Sequence, residues 1–282
     1  MEQENFNTHS KNRRTGIKKG IYILPSLFTT GSLFFGFFSI IRAISGDYVQ
    51  AAWAIMFAGV FDALDGRIAK LTKSETEFGF AYDSLVDLAS FGLAPAILVF
   101  TWNLHAMSRF GWAAAFLFFA CGALRLARFN VQAGGVEKRF FQGLPIPAGA
   151  YALASFVIFR ESFENHSHVS PYVMVVLTIA LALLMVSNIR YRGIKHIDFS
   201  KPQSFLFLVI AAIVLFVVAS APQETMFFAS IAYILMGPID EILHFKNRKD
   251  FLEKQLAEKE VPRSSDRLKV LSLPPEYETR NH

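Results

Sequence analysis

Eight apolar runs dominate this chain, each close to the roughly 20 residues that an α-helix needs to cross the hydrocarbon core of a bilayer. They lie at about 22–44, 49–71, 80–102, 110–130, 144–160, 170–189, 204–220 and 225–243. Polar or turn-forming stretches separate them, among them "SGD" at Ser45–Asp47, "NLHAMSR" at Asn103–Arg109 and "APQE" at Ala221–Glu224. Inside hydrocarbon every backbone N–H and C=O must be satisfied within the protein, which leaves helices or closed barrels. These runs lack the period-two alternation of barrel strands. The chain therefore predicts an all-α, polytopic membrane protein of about eight transmembrane helices. Its 53% apolar content, against roughly 45–50% in soluble domains, agrees.

Threading the runs alternately across a bilayer puts 25 of the 28 Lys and Arg on one side and leaves Arg42, Arg109 and Arg160 on the other. Positive charge collects on the cytoplasmic side, so both termini are expected there, in a bacterial cytoplasmic (inner) membrane. The formal charge of +5 then belongs to loops beside anionic headgroups, and membrane lipids, not nucleic acid, are the expected partners. Residues 1–21 read as a basic cytoplasmic segment with room for a short amphipathic surface helix. They do not read as a cleavable signal, because the next apolar run is too long for one. Residues 245–282 form a charged tail: "HFKNRKDFLEKQLAEKE" can continue as a solvated helix, and the proline-bearing remainder reads as linker or disorder. Cys121, the single cysteine, sits in an apolar run and reads as a core side chain.

Against this background Asp62, Asp65, Asp83 and Asp87 stand out, because an ionised carboxylate in a membrane helix costs a few kcal/mol and marks a functional hypothesis. Asp62 and Asp65 are three apart, with Gly66 and Ala69 four and seven beyond Asp62, which puts all of them on one helical stripe. Gly79, Asp83 and Asp87, at intervals of four, form a second stripe on the next helix. An elbow at about Lys70–Phe78 between antiparallel helices would aim all four carboxylates into one cavity. Such a cavity must take up protons or cations, and two divalent ions would neutralise it. Oxygen-only ligands select Mg²⁺, Mn²⁺ or Ca²⁺, and the lack of nearby His or Cys at metal spacing argues against zinc. Paired ions held this way are suited to in-line displacement at phosphorus. Gly66, Ala69 and Gly79 would let a diphosphate approach the helix backbones, although a lone Gly66 can equally serve helix packing. Polar residues of the first six runs gather near one end, and the last two runs are almost purely apolar, so chemistry is expected in the first six.

The spacing "D62-A-L-D65-G66-R67-I-A69-K70", eight residues, then "G79-F-A-Y-D83-S84-L-V-D87" resembles the signature D-x-x-D-G-x-x-A-R…G-x-x-x-D-x-x-x-D of the CDP-alcohol phosphotransferase family. Lys70 departs from the family's Arg and cannot make a bidentate phosphate contact. The resemblance implies a six-helix catalytic core (22–200), two added transmembrane helices (201–244), two divalent cations (Mg²⁺ or Mn²⁺), and attack of an alcohol on a CDP-linked lipid with release of CMP. It implies metal binding by Asp62, Asp65, Asp83 and Asp87, with Asp87 also the base for the incoming hydroxyl. CDP-diacylglycerol is then expected at Gly66, Arg67, Ala69, Lys70 and Gly79, and at Pro25 and Thr29 of "PSLFT", which is similar to the family's P-N-x-x-T. A homodimer is implied as well.

The flanking blocks "EFGFAYDSLVDLASFGLAPA", "CGALRLARFNV", "FQGLPIPA" and "LMVSNIRYRGIKHID" resemble the phosphatidylserine synthase branch, which implies L-serine as the alcohol. Ser84, Arg125, Arg128 and Asn130 become candidates for gripping serine or phosphate. The two arginines read equally as membrane anchors. Glycerol 3-phosphate, inositol phosphate or choline would use the same metal ligands, and a carboxylate-lined ion transporter is the reading from another class.

Overall fold

A computed structural model describes residues 25–72, 76–132, 141–162, 169–191 and 218–260, with positions 209, 213 and 216. The basic segment 1–21, Lys73 of the elbow, Lys138, Arg139, Arg192, Lys195, Lys201, most of the run expected at 204–220 and the end of the tail lie outside the described residues. Two compact units are present, Met1–Pro238 and Ile239–His282.

The helices follow the apolar runs in order: α1 Pro25–Ile44, α2 Tyr48–Thr72, α3 Glu77–Asp87, α4 Ala94–Trp102, α5 Arg109–Gln132, α6 Ile146–Glu161, α7 Pro171–Val186 and α8 Pro222–Glu260. Several starts carry a local reason. Thr76 caps α3 by accepting the Gly79 amide at 3.0 Å, and prolines occupy the first turn of α4, α6 and α7, where a missing N–H costs nothing. The α1–α2 turn passes through Gly46 at φ +85°, a conformation that glycine adopts without strain. α8 begins at the expected position but runs on to Glu260, so the last apolar run and the charged stretch after it are one helix.

The third run is not a plain α-helix. Between α3 and α4 the chain makes a π-helical turn at Leu88–Leu93, which begins directly after Asp87 and buries Ser90, Phe91 and Gly92. The turn lies against α1: a Cβ on Gly36 would run into Ser90, whose hydroxyl donates to the Ser32 carbonyl at 3.1 Å.

Of the eight expected crossings, the run at 204–220 lies mostly outside the described residues. Among the described residues four helices are long and apolar enough to span a membrane by themselves: Pro25–Ile44, Glu77–Trp102, Arg109–Gln132 and Pro222–Ile242. α2 has the length, at 25 residues, but carries Asp62, Asp65, Arg67 and Lys70 in its final turns. α6 and α7, at 16 residues each, rise only about 24 Å. The polytopic all-α architecture stands, with the shorter helices packed among the longer ones. α5 packs chiefly on α7, and α2 on α6. Together with the π-helical turn and α4 they supply a core that includes Ile55, Phe91, Leu98, Phe118, Ile146 and Leu153. Large apolar side chains such as Phe34, Phe57, Phe116 and Phe228 remain exposed, as a lipid-facing surface requires.

Two of the flanking blocks are joined by a two-residue antiparallel bridge, β1 Phe141–Gln142 with β2 Arg190–Tyr191, in the register Phe141↔Tyr191 and Gln142↔Arg190. The Gly143 amide donates to the Ile189 carbonyl at 2.9 Å and the Leu144 amide to the Leu184 carbonyl at 3.0 Å, which pins "QGLPIP" to the end of α7. Gly143 has φ +80°, and a Cβ there would press on the Met185 carbonyl. Gly143→Ala is therefore expected to cost at least about 2 kcal/mol and lower the melting temperature of the detergent-solubilised protein. An unchanged melting curve would show that this loop does not hold the bundle together.

Candidate active site

The site forms where α2 ends and α3 begins. Residues three or four apart share one face of a helix, so the Asp62 stripe of α2 and the Asp83–Asp87 stripe of α3 can meet in one cluster. Carboxylate oxygens of Asp62, Asp83 and Asp87 lie within 4.8 Å of one another. Asp62 and Asp87 interact directly, and two carboxylates so close are relieved by a shared proton or a cation. Asp65, 6% exposed, is not part of that trio, but its charge acts on Asp62 and Asp83 and its carboxylate faces Thr29. The buried Thr29 hydroxyl also donates to the Pro25 carbonyl at 3.1 Å, so its single proton serves one acceptor at a time.

Three oxygens decide what the cavity can hold. Asp65 Oδ2, Asp83 Oδ1 and Asp87 Oδ1 are buried and have no hydrogen-bond partner among the described residues. Lone buried carboxylate oxygens are costly, and a cation would satisfy them. The trio offers oxygen ligands only, so the residues fit one or more hard divalent ions.

The remaining candidates divide by position. Gly66 is exposed, and a Cβ on it would meet nothing within 4 Å, so its small size does not serve contact between these helices and its face is open. Arg67 and Lys70 are exposed and Ala69 half-buried on the same turns of α2. The Gly79 amide is committed to the Thr76 cap. Asn130 Nδ2 donates to Ser84 Oγ at 3.1 Å while Ser84 Oγ donates to the Phe80 carbonyl at 3.1 Å, which ties α3 to α5 beside Asp83.

The two arginines part company. Arg125 is 8% exposed, its charge faces Asp87, and its Nε has no partner among the described residues. Arg128 Nη1 instead donates to the Val186 carbonyl at 3.2 Å, at the C-terminus of α7, where a cation meets unpaired carbonyls.

Two tyrosines near the site went unnoticed in sequence. Tyr151 of α6 interacts electrostatically with Asp62 and Asp87, and Tyr233 of α8 with Arg125. α8, expected from its composition to stay out of the chemistry, is thus held close to it. The Tyr191 hydroxyl donates to the Ile234 carbonyl at 3.2 Å, and the Tyr191 and Tyr233 rings lie 5.9 Å apart. The available signal was a hydroxyl within an apolar span, at "AGAYALAS" and "SIAYILMG".

The chain is similar to known proteins. A family model described as CDP-alcohol phosphatidyltransferase matches residues 22–186. A CDP-diacylglycerol–serine O-phosphatidyltransferase of Helicobacter pylori is 34% identical over 194 residues, covering 69% of this chain and 82% of the relative. One of the same name from Mycobacterium leprae is 29% identical over 223 residues, covering 77% and 74%. An archaetidylserine synthase of Methanothermobacter thermautotrophicus is 36% identical over 173 residues, covering 60% and 69%. With α1 to α7 and the whole acidic cluster inside the matched region, this membrane protein belongs to the CDP-alcohol phosphatidyltransferase family.

Proposed function

We propose that this chain transfers the phosphatidyl group of CDP-diacylglycerol to the hydroxyl of L-serine, giving phosphatidylserine and CMP. The observation that carries the reading is the convergence of Asp62, Asp83 and Asp87, with unpartnered buried oxygens, beside the buried guanidinium of Arg125. The names of the relatives from Helicobacter and Mycobacterium support serine as the acceptor.

Asp62, Asp65, Asp83 and Asp87 would hold two divalent cations, Mg²⁺ or Mn²⁺, which when bound would neutralise the diphosphate and the oxygen that leaves with CMP. The open face at Gly66 admits the diphosphate, with Ala69 and Gly79 beside it, Arg67 and Lys70 supplying positive charge, and Pro25 and Thr29 at the start of α1 bordering the nucleotide. Arg125 receives the serine carboxylate or a phosphate oxygen, since its guanidinium is the buried cation next to Asp87. Ser84 and Asn130, bonded to each other, shape the wall between α3 and α5. Arg128 holds the end of α7 and contributes through that position. Asp87 takes the proton of the serine hydroxyl; the oxygen attacks the phosphorus bearing diacylglycerol, forming one O–P bond as the bond to CMP breaks. Holding both reactants at the membrane surface supplies much of the acceleration.

The charge asymmetry of the loops supports a bacterial inner-membrane orientation with both termini in the cytoplasm, the site opening there. We assign the chemistry to a core of 22–200, the helices of 201–244 to its support, and 1–21 and 245–282 to the cytoplasmic surface, in a homodimer.

Purified protein supplied with CDP-diacylglycerol, Mn²⁺ and labelled serine is expected to release CMP and form phosphatidylserine, and to do so poorly with glycerol 3-phosphate, inositol phosphate or choline. CMP release with one of those alcohols and not with serine would replace the acceptor. Asp83→Asn is expected to lower turnover by more than about a hundredfold, beyond the 10- to 100-fold typical of groups that merely support a ligand. The same substitution should leave the metal-free melting temperature unchanged or raised, because it removes one of several repelling buried charges. Retained turnover would contradict the assignment of Asp83.

A further inference from the structure

The phenol of Tyr151 occupies a place that nothing in the family signature explains. Its hydroxyl lies directly on the backbone of α2: a Cβ built on Gly59 would coincide with it. Gly59 precedes Asp62 by three residues, nearly one helical turn and about 4.5 Å along the same face. The ring stands edge-on to Phe91, with centroids 6.1 Å apart and planes at 79°. Phe91 belongs to the π-helical turn and lies four residues beyond Asp87. Tyr151 is therefore braced by α2, which carries Asp62, and by the π-helical turn that begins directly after Asp87, and its hydroxyl interacts electrostatically with both carboxylates. Among the described residues no hydrogen bond occupies that hydroxyl, and toward an ionised carboxylate an O–H can only donate.

We propose that Tyr151 is a positioning residue of the acidic cluster: its hydroxyl donates to the Asp62–Asp87 carboxylate pair and fixes the oxygens that bind the cation. Gly59 is the other half of the device, because any side chain there displaces the phenol. A neutral donor suits the position better than a cation would. It orients the pair without adding a charge that competes with a metal ion, whereas Arg125 meets Asp87 with a full charge from α5. The inference rests on the metal-carboxylate reading of the site.

The test uses the full chain in detergent or nanodiscs and compares it with Tyr151→Phe, which keeps the ring against Phe91 and removes one oxygen. Three quantities are read: Mn²⁺ affinity from the free-ion electron paramagnetic resonance signal, melting temperature with and without Mn²⁺, and the separate kcat and KM for serine. The metal-free melting temperature should hold within about 2 °C. Mn²⁺ affinity should fall by about tenfold or more, with a smaller Mn²⁺-induced rise in melting temperature, and kcat should fall more than KM for serine changes. Gly59→Ala, which keeps every ligand oxygen, should weaken Mn²⁺ binding in the same direction. Wild-type Mn²⁺ affinity in Tyr151→Phe would reduce the phenol to a packing group and overturn the proposal. A raised KM for serine with Mn²⁺ affinity intact would make it a substrate contact and overturn it equally. Failure of the unsubstituted chain to bind Mn²⁺ would instead sink the metal reading, and this inference with it.

Discussion

The structure depends on a repulsion that it creates for itself. Asp62, Asp83 and Asp87 bring carboxylate oxygens within 4.8 Å, in helices whose other residues are largely apolar. At such separations, and shielded from water, like charges oppose each other by several kcal/mol, and burial adds a desolvation cost to each. A fold that holds them together must be rigid without them. The rigidity comes from α2 against α6 and α5 against α7, pairings that bury apolar side chains such as Ile55, Phe118 and Leu153. Stability is concentrated away from the site, and the site itself is a strained feature that cation binding can relieve.

The supports of the cluster divide into charged and neutral ones, and each comes from a different helix. Arg125 arrives from α5, Thr29 from α1 and Tyr151 from α6, while α2 and α3 supply the acids. The π-helical turn explains how α3 and α4 can serve both ends of this arrangement. A π turn holds one residue more than the α-helical turn it replaces, which rotates the faces before and after it relative to each other. Asp87 can then face the site while Ser90 faces α1 and Phe91 faces α6, three directions that one uninterrupted helical stripe would not offer within five residues.

Much of this was legible before any coordinates. Apolar runs near bilayer length fixed the class, and the three- and four-residue spacings of the aspartates defined two stripes that could meet only across an elbow. What was hidden had physical reasons. The exact ends of the run at 170–189 were hidden, because hydropathy does not register that the chain leaves the helix at Val186 to enter the β1–β2 bridge. Arg125 and Arg128 carry the same charge one turn apart, and only packing separates a guanidinium facing Asp87 from one that closes the end of α7. Tyr151 and Tyr233 sit in runs whose average character is apolar, and a single phenolic oxygen barely moves that average. Gly59 resembles any small residue of a membrane helix until the phenol above it is seen.

The last helix sharpens the relation between family and chain. The family match ends at residue 186, with α7. α8 lies beyond that limit, and yet Tyr233 approaches Arg125, and Tyr191 is clamped between that ring and the backbone around Ile234 and Gly237. A Cβ on Gly237 would run into the Tyr191 ring, so the contact is built for close approach and is not a loose lipid-facing neighbour. Arg125 is the group that distinguishes a site with a buried cation beside Asp87 from one with carboxylates alone. On the proposed reading, in which Arg125 receives the serine carboxylate or a phosphate oxygen, a helix that steadies this arginine bears on how substrate is held.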